Sequence, residues 1–122
     1  MKTSYKPEDV TVLLKDITGC IAPAPAQERE KRIQSGTHYS EMLPVEYKPT
    51  DTYMHTYNMA VKRFARETAE AVGKLAKKIF RPGLVLVSLA RAGTSPGVLL
   101  KRYMARYYGA EVPHYTISII RG

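Results

Sequence analysis

The residues best placed to do chemistry form one stretch, Ser88-Leu89-Ala90-Arg91-Ala92-Gly93-Thr94-Ser95-Pro96-Gly97. The apolar run Leu84-Val85-Leu86-Val87 leads into it, and Val98-Leu99-Leu100-Lys101-Arg102 leads out, which reads as strand, small-residue loop and helix. A helix N-terminus leaves backbone N–H groups unpaired and carries partial positive charge. Gly93 and Gly97 would let the backbone close on an anion, and Arg91 adds a full charge with a forked donor set. A phosphate or pyrophosphate is the guest such groups select. The spacing matches neither the Walker A loop nor the dinucleotide pattern G-x-G-x-x-G. An ordinary strand-to-helix turn with a packing glycine has the same composition.

A second polar stretch, Thr37 to Pro49, sets hydroxyls, a histidine and two glutamates between prolines without a clear period. His38, Tyr39, Ser40 and Glu41 are its site-lining candidates, although surface connectors have the same character. The three histidines, His38, His55 and His114, show no metal-ligand spacing, and one cysteine cannot build a zinc site, so no metal is expected.

These groups need a scaffold. Lys6-Pro7-Glu8-Asp9-Val10 reads as a helix start, with proline in the first turn beside acids. Val10, Leu13, Leu14 and Ile17 would form its apolar face. Ile21 to Ala26 carries two prolines and reads as a stiff extended connector. Gln27 to Gln34 reads as a charged surface helix. Thr50-Asp51 caps a long helix over 51–80, whose stripe Met54, Tyr57, Val61, Phe64, Thr68, Val72, Leu75 and Ile79 predicts a core-facing side. Arg81-Pro82-Gly83 stops it before a strand over 84–88. That strand is apolar without alternation, as when both faces are covered. Ser95 and Pro96 read as N-cap and first residue of a helix over 96–108, closed by Gly109. A strand over 115–120 follows.

The β-α-β order implies a right-handed crossover and a parallel pair, with ligands at the carboxyl ends of the strands, where residues 89–97 lie. The fold class expected is α/β: the start of a parallel sheet flanked by helices over 51–122, after a helical and loop extension over 1–50. Two strands are marginal as a sheet, so the chain reads as the N-terminal portion of a larger domain or one piece of an assembly, which makes self-association an expectation.

Length and charge narrow the class. The 122 residues suffice for one domain with a real core. No run approaches the roughly 18 apolar residues that span a bilayer, the N-terminus lacks a signal-peptide core, and a single Cys20 excludes an internal disulfide. A cytoplasmic, membrane-free protein is expected. Residues 1–50 hold 7 Lys/Arg and 7 Asp/Glu, whereas residues 51–122 hold 12 against 4 and carry the whole net charge of +8. That excess favours an acidic small molecule or nucleic acid as partner.

Four segments together resemble a bacterial family: Asp9 to Asp16, Ile33 to Pro44, Ser88 to Thr94 and Tyr115 to Gly122. It is described both as a phosphoribosyltransferase-like family of tellurite-resistance and stress clusters and as the cysteine protease StiP family. On the first description, the resemblance implies a phosphoribosyltransferase-like fold. It also implies that Ala90, Arg91, Ala92, Gly93, Thr94, Ser95 and Gly97 grip the pyrophosphate of phosphoribosyl pyrophosphate (PRPP) or a nucleotide-like phosphate. Magnesium would arrive with the PRPP, and RNA would be met by a further C-terminal domain. The acidic motif such transferases need does not occur before Gly122, so no catalytic residue is assigned and this chain should not turn over.

On the second description, a thiol peptidase needs a cysteine activated by a histidine. Cys20 is the one thiol, it follows Gly19 after the first expected helix, and His38 is the histidine in the most site-like loop. No local signature around Cys20 marks a nucleophile. A third reading, an RNA-binding module using the basic half, predicts affinity that falls steeply with salt.

Overall fold

A computed structural model of the chain describes residues 3–119. Its elements are β1 (Thr11–Val12), β2 (Pro23–Ala24), α1 (Ala26–Gln34), a 3-10 turn at Tyr39–Glu41, β3 (Leu43–Pro44), α2 (Asp51–Ile79), β4 (Leu86–Leu89), α3 (Thr94–Tyr108) and β5 (His114–Ile117). The chain forms two compact units, one from the residues up to Leu14 with those from Tyr57 onward, the other from Lys15–Thr56.

The first unit is built on a parallel three-stranded sheet in the order β1-β5-β4. β4 and β5 run in register from Leu86 opposite His114 to Leu89 opposite Ile117, and Thr11 lies opposite Tyr115. β1 replaces the helix expected after Pro7. Residues 7–9 form a turn, closed by the Asp9 amide on the Lys6 carbonyl at 3.0 Å and by the Lys6 amide on Asp9 Oδ2 at 3.2 Å. Val10, Val12 and Leu14 then turn inward in alternation while Leu13 and Ile17 stay exposed. The period is therefore 2, as β-branched Val10-Thr11-Val12 favours, and pairing with β5 overrides the weak helical spacing.

The core lies on one side of this sheet. Ala76, Leu86, Leu100, Met104 and Val112 are buried together, with Val72 and Ile79 of α2 packed against them. The opposite face is open: Val87 is 61% exposed, and Val85 and Leu89 are also uncovered. The expectation of a strand covered on both faces is thus corrected. An apolar run without alternation arises equally when one face is open, because residue type does not report a missing neighbour. Among the described residues the fold is mixed α/β, with a small three-stranded parallel sheet, a separate two-stranded parallel ribbon and three α-helices.

α2 is one helix from Asp51, with the Tyr53 amide 3.2 Å from the Thr50 hydroxyl at its start. Only its last two turns serve the core; residues 51–71 are exposed throughout, so Tyr57, Val61 and Phe64 do not face the sheet as expected. α3 begins one residue before Ser95, with Gly93 as N-cap. Gly109 closes it in the left-handed conformation at φ 61°, which glycine adopts without strain. The last strand ends at Ile117; Ile120, its expected last residue, lies outside the described residues.

In the second unit the proline connector and the polar loop become partners. Pro23–Ala24 pairs in parallel with Leu43–Pro44, a ribbon too short to be sensed by periodicity. α1 has no buried residue, as a charged surface helix should, and Arg32 forms an ion pair with Glu28 one turn earlier. No helix of the described residues is long and apolar enough to cross a membrane.

Candidate functional site

The carboxyl ends of β1, β4 and β5 open into a cavity of about 280 Å³ lined by Tyr5, Val12, Ala90, Arg91, Thr94 and Thr116. The loop after β4 thus lies where parallel sheets place ligands. Its backbone is largely occupied by the chain itself. The Ala90 amide donates to the Ile117 carbonyl at 2.7 Å, Gly93 to Leu89 at 3.0 Å, Thr94 to Arg91 at 3.1 Å and Gly97 to Gly93 at 3.3 Å. Pro96 has no N–H to offer. Among the expected anion-holding residues, Arg91, Ala92 and Ser95 are exposed, Ala90 and Gly93 are half-buried, and Thr94 and Gly97 are buried. The Ser95 hydroxyl pairs with the Tyr5 phenol at 2.7 Å.

Beneath this loop lies a buried polar network that the sequence reading missed. His114 Nδ1 is 3.0 Å from the Asp9 main-chain carbonyl, which can only accept, so Nδ1 carries the proton. Nε2 therefore accepts from the Ser88 hydroxyl at 2.8 Å. Thr116 Oγ1 donates to the Ser88 carbonyl at 3.3 Å, and Thr94 Oγ1 lies 2.8 Å from Thr116 Oγ1. Gly97 covers the Ser88–His114 pair so closely that a methyl group there would overlap Ser88 Oγ and His114 Nε2 and sit 2.7 Å from His114 Cε1. Serine bonded to histidine resembles part of a hydrolytic triad. Both groups are buried, however, and the histidine rests on a main-chain carbonyl rather than a carboxylate. The pair ties β4 to β5 and to the turn before β1.

Asp9 completes the anchor. Its side chain is 4% exposed and receives a two-pronged contact from Arg102 of α3, Nε to Oδ1 at 2.7 Å and Nη2 to Oδ2 at 2.6 Å. That guanidinium, with the Lys6 amide, lowers the Asp9 carboxyl from 3.8 to about 2, and the Arg102 guanidinium is raised in turn. The available signal was polar residues on the inward register of two apolar strands: Ser88 beside Leu86, and Thr116 two residues after His114.

The second unit holds the other candidates. Cys20 is exposed at the end of a turn whose amide–carbonyl bond, Cys20 to Ile17, is 3.0 Å. His38 precedes the 3-10 turn and its Nδ1 is 2.7 Å from the Ser40 hydroxyl and 3.3 Å from the Ser40 amide. Its ring lies 4.6 Å from that of Tyr39, and Tyr39, Ser40 and Glu41 are all exposed. Because β2 and β3 are parallel, the segments bearing Cys20 and His38 both enter the ribbon from the same end. Among the described residues no hydrogen bond joins the Cys20 thiol to an imidazole, and no three of His, Cys, Asp and Glu gather to hold a metal ion.

Residues 3–122 match the family described as tellurite-like stress resistance cysteine protease StiP. The chain belongs to the StiP family. It is also 39% identical over 122 residues to the cysteine protease StiP of Acinetobacter baylyi, a similarity covering 97% of this chain and 31% of that protein. The chain therefore spans about a third of the length of the curated relative it matches. No solved structure matches it. The StiP match corrects the functional reading of the chain as a phosphoribosyltransferase-like PRPP binder: family and relative are both named as cysteine protease. A small-residue turn with one arginine serves packing as readily as anion binding, and here Thr94 and Gly97 are buried against Thr116, Ser88 and His114.

Proposed function

We propose that this chain is part of a cysteine peptidase acting in stress resistance. Membership of the StiP family over residues 3–122 carries the reading. Peptide hydrolysis by a thiol needs a thiolate to attack the scissile carbonyl, an acid to protonate the departing amine, and water to release the thioester. Cys20 is the single cysteine of this sequence, so these residues can enter the nucleophilic step only through it. Its exposure suits attack on a polypeptide.

His38 and His55 both lie in the second unit with Cys20, and His38 is the one whose segment enters the short ribbon from the same end as that of Cys20. The Ser40 amide donates to Nδ1, so in the neutral ring the proton sits on Nε2; the Ser40 contacts orient the imidazole, and the ring would have to exchange that bond before Nε2 could accept the thiol proton. Apo geometries of catalytic pairs are commonly longer than a hydrogen bond.

The test is cleavage of casein by a StiP protein that carries this chain at its full length, before and after treatment with iodoacetamide. Cleavage that alkylation abolishes supports the reading. Cleavage that survives complete alkylation of its thiols, or no cleavage of any protein substrate, overturns it.

A further inference from the structure

α2 carries an apolar stripe longer than its core requires. Val72, Ala76 and Ile79 pack on the sheet, yet the stripe continues back through Thr68, Phe64, Val61 and Tyr57 at intervals of three and four. Phe64 is 47%, Val61 50% and Tyr57 53% exposed. Facing this extension, Leu99 of α3 is 43% exposed. Between the two helices lies a groove of about 570 Å³ whose floor is Val61, Phe64, Val72, Leu99 and Tyr103. From Tyr57 to Val72 the stripe runs about 22 Å, room for roughly four helical turns.

The rim decides what fits. Residues 57–79 and 94–108 carry nine Lys/Arg and only two acids, Glu67 and Glu70. Arg106 lines the groove on the α3 side beside Arg102, whose guanidinium is already held by Asp9, and Arg63 sits 5.4 Å from the ring centroid of the groove residue Phe64. A second copy of this chain would bring the same excess of positive charge into low-dielectric contact. Like charges there oppose association. A nucleic acid would meet an apolar floor with no phosphate to set against it. An amphipathic helix with apolar residues at i, i+3, i+4 and i+7 and acidic flanks satisfies both floor and rim.

We infer that the groove between α2 and α3 docks an acidic amphipathic helix of a partner protein. The apolar stripe would enter against Phe64 and Leu99, and the acids would meet Arg63 and Arg106. Both apolar residues are half-exposed in the free chain, so truncating them removes binding surface and little core.

The experiment uses the 122-residue chain and a fluorescein-labelled helical peptide of about four turns, leucine at the stripe positions and glutamate elsewhere. Its counterpart replaces every glutamate with lysine. Fluorescence anisotropy should show binding of the glutamate peptide and at least tenfold weaker binding of the lysine peptide. Phe64→Ser and Leu99→Ser should each weaken the glutamate peptide tenfold or more while leaving the circular dichroism spectrum unchanged. Arg106→Glu should weaken it and narrow the gap between the two peptides. Equal binding of both peptides, or undiminished binding by both serine variants, overturns the inference. So does a dimer in sedimentation that Phe64→Ser dissolves, or an oligonucleotide that binds tighter than the glutamate peptide. Binding to this chain but not to a longer StiP protein containing it would reassign the groove to the remainder of that protein, and overturns a partner's helix.

Discussion

Replacing Gly97 with alanine is the sharpest probe of the buried network. The new methyl would overlap Ser88 Oγ and His114 Nε2, the two atoms joined at 2.8 Å between β4 and β5. Both groups are buried, so neither can retreat into water. Overpacking a close-packed site costs about 1–3 kcal/mol. Separating the pair leaves a buried donor and acceptor unmatched, about another 1–3 kcal/mol. Alanine in a helix gives back about 1 kcal/mol relative to glycine. The net loss should be about 3 kcal/mol, against total stabilities of about 5–15 kcal/mol for ordinary domains. Urea unfolding followed by circular dichroism would read this as a midpoint lowered by about 1.5 M. The Ser88→Ala/Gly97→Ala double variant should lose less than the two single variants summed, by about 1 kcal/mol, because the hydroxyl that the methyl strikes is gone. A Gly97→Ala loss below about 1 kcal/mol, or strict additivity, would refute the reading of Ser88–His114 as a packed structural clasp.

Other outcomes follow from the same structure. Asp9 titrates at about 2 when folded because Arg102 holds it charged, against 3.8 in an unfolded chain. Its share of stability is therefore full above about pH 4 and lost as pH falls toward 2, and an Asp9→Asn chain should show a flatter decline of unfolding midpoint across that window. Met104 is fully buried and Phe64 is half-exposed, so Met104→Ala should cost about 2–5 kcal/mol and Phe64→Ala less than about 1 kcal/mol. Thermal melts of the two side by side would check the difference. Lysine at Val87, on the open sheet face, should lower the fluorescence of the apolar dye ANS bound to the chain while leaving its circular dichroism unchanged.

Long, strongly periodic or sharply punctuated segments were legible from the residues. α2 and α3 announced themselves by apolar spacing, by Arg81-Pro82-Gly83 and by Gly109. The parallel pairing of β4 with β5 followed from the β-α-β order. The turn at Pro7 was not legible as a turn. Its proline and acids imitate a helix start, and the residue that decides, Arg102, is 93 positions away. The two-residue strands β2 and β3 carry no period at all, so only their mutual pairing defines them. The half-empty stripe of α2 shows the complementary limit. A sequence marks which face of a helix is apolar, not whether the chain itself supplies the cover.

The candidate site divides in the same way. Arg91 and Gly93 read two ways because anion loops and tight packing turns draw on one small set of residues. Thr94 and Gly97 instead turn inward to the network formed by Ser88, His114 and Thr116. Cys20 drew little notice because no local signature surrounds it.

The decisive measurement is the turnover of fluorescent casein by a StiP protein that contains this chain, compared with its Cys20→Ser variant at equal folded concentration. If Cys20 is the nucleophile, turnover should fall by at least about a thousandfold while substrate binding persists. Turnover unchanged by the substitution would contradict the assignment of the thiol chemistry to these residues.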